Sequence, residues 1–198
     1  NNRGNKHSLE HEDTKLSSED KKTFWNFSMH EFGLKDQPAI AKFIKEITKV
    51  DKFIYVGHSQ GSSQFLILCS IRPDFCKETY IHHIALAPAY LLHHTDSVIA
   101  PSINLKFDIL AEKGIYQFMP SGEKYNKLMR LLCFGKFQKG CQLGLKMISD
   151  KETEYINKAK LAVFFSHFPS GTSVKCLRHF AEIFRKKQFI NMNDDQPY

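Results

Sequence analysis

A serine lies between two glycines, directly after an apolar run, in the stretch YVGHSQGSSQFL at residues 55–66. The stretch fits the pattern Gly-x-Ser-x-Gly, formed by Gly57, His58, Ser59, Gln60 and Gly61. A serine in this pattern can attack an acyl carbonyl, provided that a base activates it and hydrogen-bond donors stabilise the oxyanion. A serine in a polar loop would match equally well, so the flanking elements must decide between the two interpretations.

The elements on both sides of Ser59 favour the nucleophile. Residues 52–57 are rich in β-branched and aromatic side chains and end in glycine, which predicts a buried strand. Residues 60–71 predict a helix that Pro73 stops. A strand, a sharp turn and a helix form a nucleophile elbow, whose two glycines remove side chains that would clash. The Gln60 backbone N–H, near the helix start, would donate to the oxyanion.

The wider order of elements indicates an α/β fold with a parallel sheet. A helix is predicted over 36–50, with Asp36 as N-cap and Pro38 in its first turn. Its predicted apolar face consists of Ile40, Phe43, Ile44 and Ile47. A second strand is predicted within 79–90, ending at Pro88. Helix, strand, helix and strand therefore alternate along the first part of the chain.

The chain beyond residue 90 has a different pattern. Residues 93–165 carry few strand signals, several amphipathic patches and repeated Gly and Pro turn markers, which predicts a separately organised helical region. A last helix is predicted to start at Thr172 or Ser173, with one apolar side formed by Val174, Leu177, Ala181 and Phe184.

A base and an acid for Ser59 are not evident in the sequence. In an elbow of this kind the chain order is serine, then Asp or Glu, then His. The downstream candidates do not follow a recognisable later strand in that order; they are Asp74, Asp96, Asp108, His167 and His179. The paired histidines are interpreted as surface or hydrogen-bonded residues; they are His82, His83, His93 and His94. His58 is a poor candidate because its side chain should point away from its neighbour Ser59.

Composition and charge exclude several classes. The chain has 42% hydrophobic and 25% charged residues, which is typical of a globular protein. Its net charge is +7, but the basic residues are scattered and no nucleic-acid-binding motif accompanies them, so nucleic-acid binding is not predicted. No run is apolar enough for a membrane span.

The five cysteines include no CxxC pair, and neither a metal nor an organic cofactor is predicted. Cys133 and Cys141 are close enough in sequence to close a small loop, although five buried thiols in a reducing compartment would fit as well.

Five ordered blocks resemble the acid lipase family of the α/β-hydrolase superfamily, the gastric and lysosomal acid lipases and their relatives. The blocks are NRGN with Ser8 and His11, FWNFSMHEFGLKDQPA, YVGHSQG, IALAPA and SHFPSGTSVKCLRHF, and they cover nearly the whole chain. By this resemblance Ser59 is the nucleophile and the Gln60 N–H is one oxyanion donor. The resemblance also implies that Cys133 and Cys141 form a disulfide in a cap.

The resemblance implies a serine carboxylic-ester hydrolase for neutral lipids, either triacylglycerols or sterol esters, that works through an acyl-enzyme. Residues 1–89 are then expected to be a partial α/β-hydrolase core with the elbow, and 90–198 a helical cap and lid. The lipid interface would be a transient partner, and the protein would be secreted or lysosomal. Asn26 begins an N-glycosylation pattern with Phe27 and Ser28, which is compatible with that route.

Family regions for the second oxyanion donor and for the triad Asp and His would precede residue 1 and follow residue 198. The chain is therefore expected to be an internal fragment, inactive alone, whose sheet exposes apolar surface and unpaired strand edges. Two alternatives stay open, namely a non-catalytic lipid-binding or carrier relative, and an esterase for small soluble esters.

Overall fold

The computed structural model describes residues 1–10, 18–95, 107–119, 122–134, 138–148 and 157–198. These residues form two compact units. The first comprises residues 1, 3–25 and 95–174, and the second comprises residues 2, 26–94 and 175–198. The division into a core over 1–89 and a cap over 90–198 concerns function, and it stays a prediction.

The described elements follow one another in this order along the chain: α1 (Ser18–Phe24), α2 (Met29–Glu31), a π-helical segment (Phe32–Asp36), α3 (Gln37–Thr48), β1 (Phe53–His58), α4 (Gln60–Ile71), α5 (Pro73–Thr79), β2 (Tyr80–Leu86), α6 (Phe107–Glu112), β3 (Gln117–Phe118), α7 (Glu123–Leu132), α8 (Gln138–Ile148), a 3₁₀ turn (Lys158–Lys160), α9 (Leu161–His167), β4 (Thr172–Ser173) and α10 (Val174–Lys186). The α/β class with a parallel sheet and a helical remainder is confirmed.

The helix before β1 begins earlier than predicted. Ser28 caps α2 by accepting a hydrogen bond from the His30 N–H at 3.2 Å, and the Glu31 carboxylate accepts one from the Ser28 N–H at 2.6 Å. This capping box starts a helical run that continues through the π-helical segment into α3. Asp36 has helical backbone angles and makes no cap hydrogen bond, so its prediction as N-cap was wrong.

The parallel sheet joins β1 to β2, with Tyr55 opposite His83 and Gly57 opposite Ala85. One face of β1 packs Phe53 and Tyr55 against a buried core formed by Ala41, Phe65, Leu68, Cys76 and Tyr80. On the other face Ile54 is 54% exposed and Val56 is 59% exposed. Among the described residues nothing covers this face, so β1 is buried on one face only, and the apolar surface expected to be exposed on a partial sheet is found here.

In two helices the buried face differs from the apolar face predicted from the sequence. In α3 the buried residues are Gln37 and Ala41, whereas Phe43 and Ile47 are exposed. In α10 the fully buried side chains are Cys176, His179 and Ile183. The buried stripe of α10 is rotated from the predicted one because the segment Ile190–Tyr198 lies against it: the His179 ring nitrogen Nε2 donates to the Ile190 carbonyl at 2.7 Å.

The first unit has a core of its own among α7, α8 and α9. It consists of Cys133, Leu145, Leu161, Ala162 and Phe165. In the same unit β3 pairs antiparallel with β4, Gln117 opposite Ser173.

Two disulfides fix short segments. Cys133 and Cys141 are joined after α7, and Cys69 and Cys76 are joined between α4 and α5. The second pair was not predicted, although its spacing of seven residues across Pro73 resembles that of the first. A disulfide that closes a loop of this length adds roughly 2–3 kcal/mol to the free energy of unfolding, because it restricts the unfolded chain. Cys176 is a buried thiol that takes part in neither disulfide.

Candidate active site

Ser59 occupies the single residue between the end of β1 and the start of α4. Its backbone has φ 51° and ψ −117°, a conformation that is costly for a residue with a side chain. The Ser59 N–H donates to the Leu86 carbonyl at 2.9 Å, which extends the parallel pairing to the turn itself. The Ser62 N–H donates back to the Ser59 carbonyl at 3.1 Å. The reversal is therefore held from the sheet on one side and from the helix on the other.

The serine hydroxyl makes no hydrogen bond with the described residues. Ser59 is partly exposed, and its Oγ has no hydrogen-bond partner among the described residues. The N–H of Gln60 likewise has no described acceptor, since it belongs to the first turn of α4. A free hydroxyl beside a free amide at a helix N-terminus is the arrangement that an acyl-transfer nucleophile and an oxyanion donor require.

The two glycines of the pattern differ in their surroundings. A Cβ on Gly57 would lie 2.7 Å from the Ser62 N and 2.8 Å from the Gly61 carbonyl carbon, and both of these are backbone atoms. A Cβ on Gly61 would meet nothing within 4 Å in the described residues. Close approach of strand and helix therefore explains Gly57, whereas the expected clash at Gly61 is not found there.

A chain of hydrogen bonds made by side chains supports the turn at Ser59. The Tyr55 hydroxyl donates to the Gly61 carbonyl at 2.9 Å and accepts from the Gln64 amide at 3.1 Å. The Gln64 oxygen in turn accepts from the Asn2 amide at 2.8 Å. Burial raises the pKa of Tyr55, so its hydroxyl stays protonated at neutral pH. The parts of Tyr55, Gln64 and Asn2 in this network were not predicted, because nothing in the spacing of these three residues indicates it.

Replacing Tyr55 by phenylalanine is expected to lower the free energy of unfolding by about 1–2 kcal/mol, because the Gln64 amide and the Gly61 carbonyl each lose a partner. Urea unfolding of the protein expressed from its complete reading frame would measure this. Tyr90→Phe is the matched control, since Tyr90 packs on Phe189 in the same unit and its hydroxyl has no described partner. Equal effects of the two substitutions would contradict the supporting role of Tyr55.

The side chain of Gln60 is held separately from its N–H. The Cys176 thiol, which is fully buried at the start of α10, donates to the Gln60 side-chain oxygen at 3.8 Å. This places α10 beside the first turn of α4 within the second unit.

The structure brings none of the described histidines into hydrogen-bond contact with Ser59. His58 is exposed, as are His82, His94 and His167, while the ring of His83 packs at a tilt against the ring of Phe65. The ring of His93 packs at a tilt against the neighbouring His94 ring.

The remaining triad candidates are also accounted for. His179 is buried against the C-terminal segment, and this burial lowers its pKa to about 4. Asp74 is exposed on α5, whereas Asp96 and the side chain of Asp108 lie outside the described residues. Neither a base nor an acid for Ser59 is identified among these candidates.

The other predicted site residues lie apart from the elbow in sequence. Asn26 is exposed and accepts a hydrogen bond from Lys175 at 3.0 Å, whereas Phe27 and Ser28 of the same pattern are buried. In the described ranges no three metal-ligating side chains come together. None of the helices in those ranges has the length and apolar composition to cross a membrane.

Comparison with known proteins points in one direction. Residues 1–120 match the model of the alpha/beta hydrolase fold family. The chain is 32% identical over 190 residues to Lipase 1 of Drosophila melanogaster, covering 94% of this chain and 41% of that protein. It is 33% identical over 184 residues to human Lipase member K, with 92% and 45% covered. It is 31% identical over 183 residues to human Gastric triacylglycerol lipase, with 87% and 44% covered.

The chain thus spans less than half the length of each of these relatives. The family match covers β1, the turn at Ser59 and α4, which are the elements that the geometry singles out. With this match over more than half of its residues, the chain belongs to the α/β-hydrolase fold family and is similar to lipases.

Proposed function

We propose that the protein containing this chain is a serine carboxylic-ester hydrolase that acts on neutral lipids through an acyl-enzyme. The backbone at Ser59 carries the proposal: a strained, partly exposed serine with a free hydroxyl lies between a parallel strand and a helix N-terminus. The similarity to a triacylglycerol lipase and to other lipases supports a lipid ester as substrate. Triacylglycerol is the preferred assignment over sterol ester, since it is the substrate that a relative's name carries.

The proposed reaction uses the geometry at Ser59. The Ser59 oxygen attacks the ester carbonyl carbon, its proton passes to a base, and the negative charge develops on the former carbonyl oxygen next to the Gln60 N–H. The carbon–oxygen bond to the alcohol then breaks, and the alcohol leaves with a proton from the same base. Water cleaves the acyl-enzyme by the same steps and restores Ser59. One oxyanion donor is typically worth about 10² to 10³ in rate.

The base in this proposal is a histidine, held by an aspartate, and both lie outside residues 1–198. Two observations support this placement. No described histidine is hydrogen-bonded to Ser59, and the chain spans less than half the length of Lipase 1 and of Lipase member K. The chain alone is accordingly proposed to be inactive, and 90–198 is proposed to contribute the cap and lid.

The proposed location is extracellular or lysosomal. Two disulfides support it, because such bonds persist in oxidising compartments and are rare in the cytosol. A glycan at the exposed Asn26 would be compatible with the same route. The lipid interface is the proposed transient partner.

A chain-length series of p-nitrophenyl esters compared with emulsified triolein tests the substrate class. The protein from the complete reading frame is expected to hydrolyse triolein and to prefer long acyl chains, releasing fatty acid that pH-stat titration measures. Activity restricted to short, soluble esters would indicate the small-ester esterase. Binding of triolein without release of fatty acid would indicate the lipid carrier.

A further inference from the structure

Most of the net positive charge lies in one part of the sequence. Residues 122–168 contain nine Lys or Arg and four Asp or Glu, a net of +5 out of +7 for the whole chain. The described parts of this segment contain seven basic residues and one acidic residue, Glu123. Three of these seven lie on α7, two on α8 and two in the 3₁₀ turn before α9, so charge that looks scattered along the sequence is concentrated in this part of the chain.

Apolar side chains project from the same segment. Leu128 is 52% exposed, Leu131 is 71% exposed and Phe134 is 73% exposed. They border a shallow groove of about 720 Å³ whose rim is basic. We call this region the α7 surface, and it consists of Lys124, Lys127, Leu128, Arg130, Leu131 and Phe134.

The spacing places the basic and apolar groups side by side. Residues three and four positions apart are neighbours on a helix surface, so Leu128 lies next to Lys124 and Leu131 lies next to Lys127. The exposed side chains of the α7 surface lie outside the core of the first unit. The inner side of the segment is already packed, with Cys133 and Leu161 almost fully buried and the Cys133–Cys141 disulfide closing the end of α7.

We infer that the α7 surface binds an anionic lipid surface, with Leu128, Leu131 and Phe134 entering the headgroup boundary and Lys124, Lys127 and Arg130 contacting lipid phosphates. Basic residues beside projecting apolar ones are typical of helices that lie in a membrane interface. The groove is shallow and its apolar side chains point outward, which suits a continuous surface better than one enclosed lipid molecule. This inference rests on the proposed function and adds which interface the protein selects.

Vesicle binding separates this inference from the hydrolase proposal. The protein from the complete reading frame would be sedimented with ether-linked phosphatidylcholine vesicles, with and without ether-linked phosphatidylglycerol, so that no ester is available for cleavage. Binding is expected to increase at least about tenfold with the anionic lipid and to fall as salt rises.

The triple variant Lys124→Gln, Lys127→Gln, Arg130→Gln is expected to lose at least about tenfold in affinity for the anionic vesicles. Its hydrolysis of a soluble short-chain ester should be unchanged. The matched control removes three exposed charges from other elements, Lys22→Gln, Lys52→Gln and Lys77→Gln, and should change affinity less than about twofold.

A second variant, Leu131→Ser with Phe134→Ser, should weaken binding to the same vesicles, because both side chains are exposed and their replacement leaves the core intact. Equal binding to neutral and anionic vesicles would overturn the inference, as would equal losses in the triple variant and its control. Absence of binding to either kind of vesicle would overturn it too, whether or not the protein hydrolyses esters.

Discussion

Replacing Ser59 by alanine is expected to lower kcat for ester hydrolysis by about 10⁴-fold or more, because it removes the atom that forms the acyl-enzyme. The fold should be kept, since the Ser59 hydroxyl makes no hydrogen bond with the described residues and its backbone bonds to Leu86 and Ser62 do not involve the side chain. Initial rates on a p-nitrophenyl ester would measure the loss in the protein from the complete reading frame. A fluorophosphonate probe should label the parent protein at Ser59 and leave the variant unlabelled.

Ser63→Ala is the matched control. Ser63 lies on the same helix, four residues beyond the turn, and its buried hydroxyl has no partner among the described groups. Its loss should therefore cost little stability and less than about tenfold in rate. If Ser59→Ala retained activity, or if the probe labelled another serine, the elbow would not be the catalytic site.

Replacing Gly57 by alanine is expected to lower the free energy of unfolding by about 3 kcal/mol or more and to abolish hydrolysis with it. The new methyl group would lie under 3 Å from backbone atoms of Gly61 and Ser62, and backbone cannot turn away as a flexible side chain can. The Ser62 hydroxyl, which donates to the Gly57 carbonyl at 2.7 Å, would lose its geometry as β1 and α4 separate. Thermal unfolding together with fluorophosphonate labelling would report both losses.

The control is Gly140→Ala in α8. It makes the same chemical change at an exposed helical position where the new Cβ meets nothing within 4 Å in the described residues. Alanine is preferred to glycine within a helix, so this variant should be unchanged or more stable by up to about 1 kcal/mol. A Gly57→Ala protein as stable as the parent would show that the close approach of β1 and α4 is not required.

The elbow could be predicted because its residues are contiguous. Gly57 and Ser59 lie within three positions of each other, and the elements on both sides carry strong local signals, so the strand, the turn and the helix follow from short-range physics. The structure adds the backbone angles at Ser59 and the close contacts at Gly57, which no pattern contains.

What the sequence did not predict depends on distant parts of the chain. The bond from Asn2 to Gln64 joins residues 62 positions apart, and the buried stripe of α10 is decided by the segment at Ile190–Tyr198 that covers it. The predicted buried face of α3 was wrong for the same kind of reason. Periodicity shows that an apolar face exists but not what it packs against.

Asp36 resembles a helix start because it precedes Pro38, but the capping box at Ser28 and Glu31 is a stronger start signal eight residues earlier. The π-helical segment Phe32–Asp36 then carries the helical run from α2 into α3, so Pro38 lies within a helical run that has already begun.

The backbone conformation at residue 59 lowers the stability of a protein that has serine there, although the proposed reaction needs that serine. Glycine adopts this region of φ and ψ without steric cost, whereas serine does not. Laboratory evolution under selection for thermal stability alone would therefore tend to replace Ser59 by glycine and yield stable but inactive variants. Retention of serine at this position in a natural lineage would be a record of continuous selection for turnover.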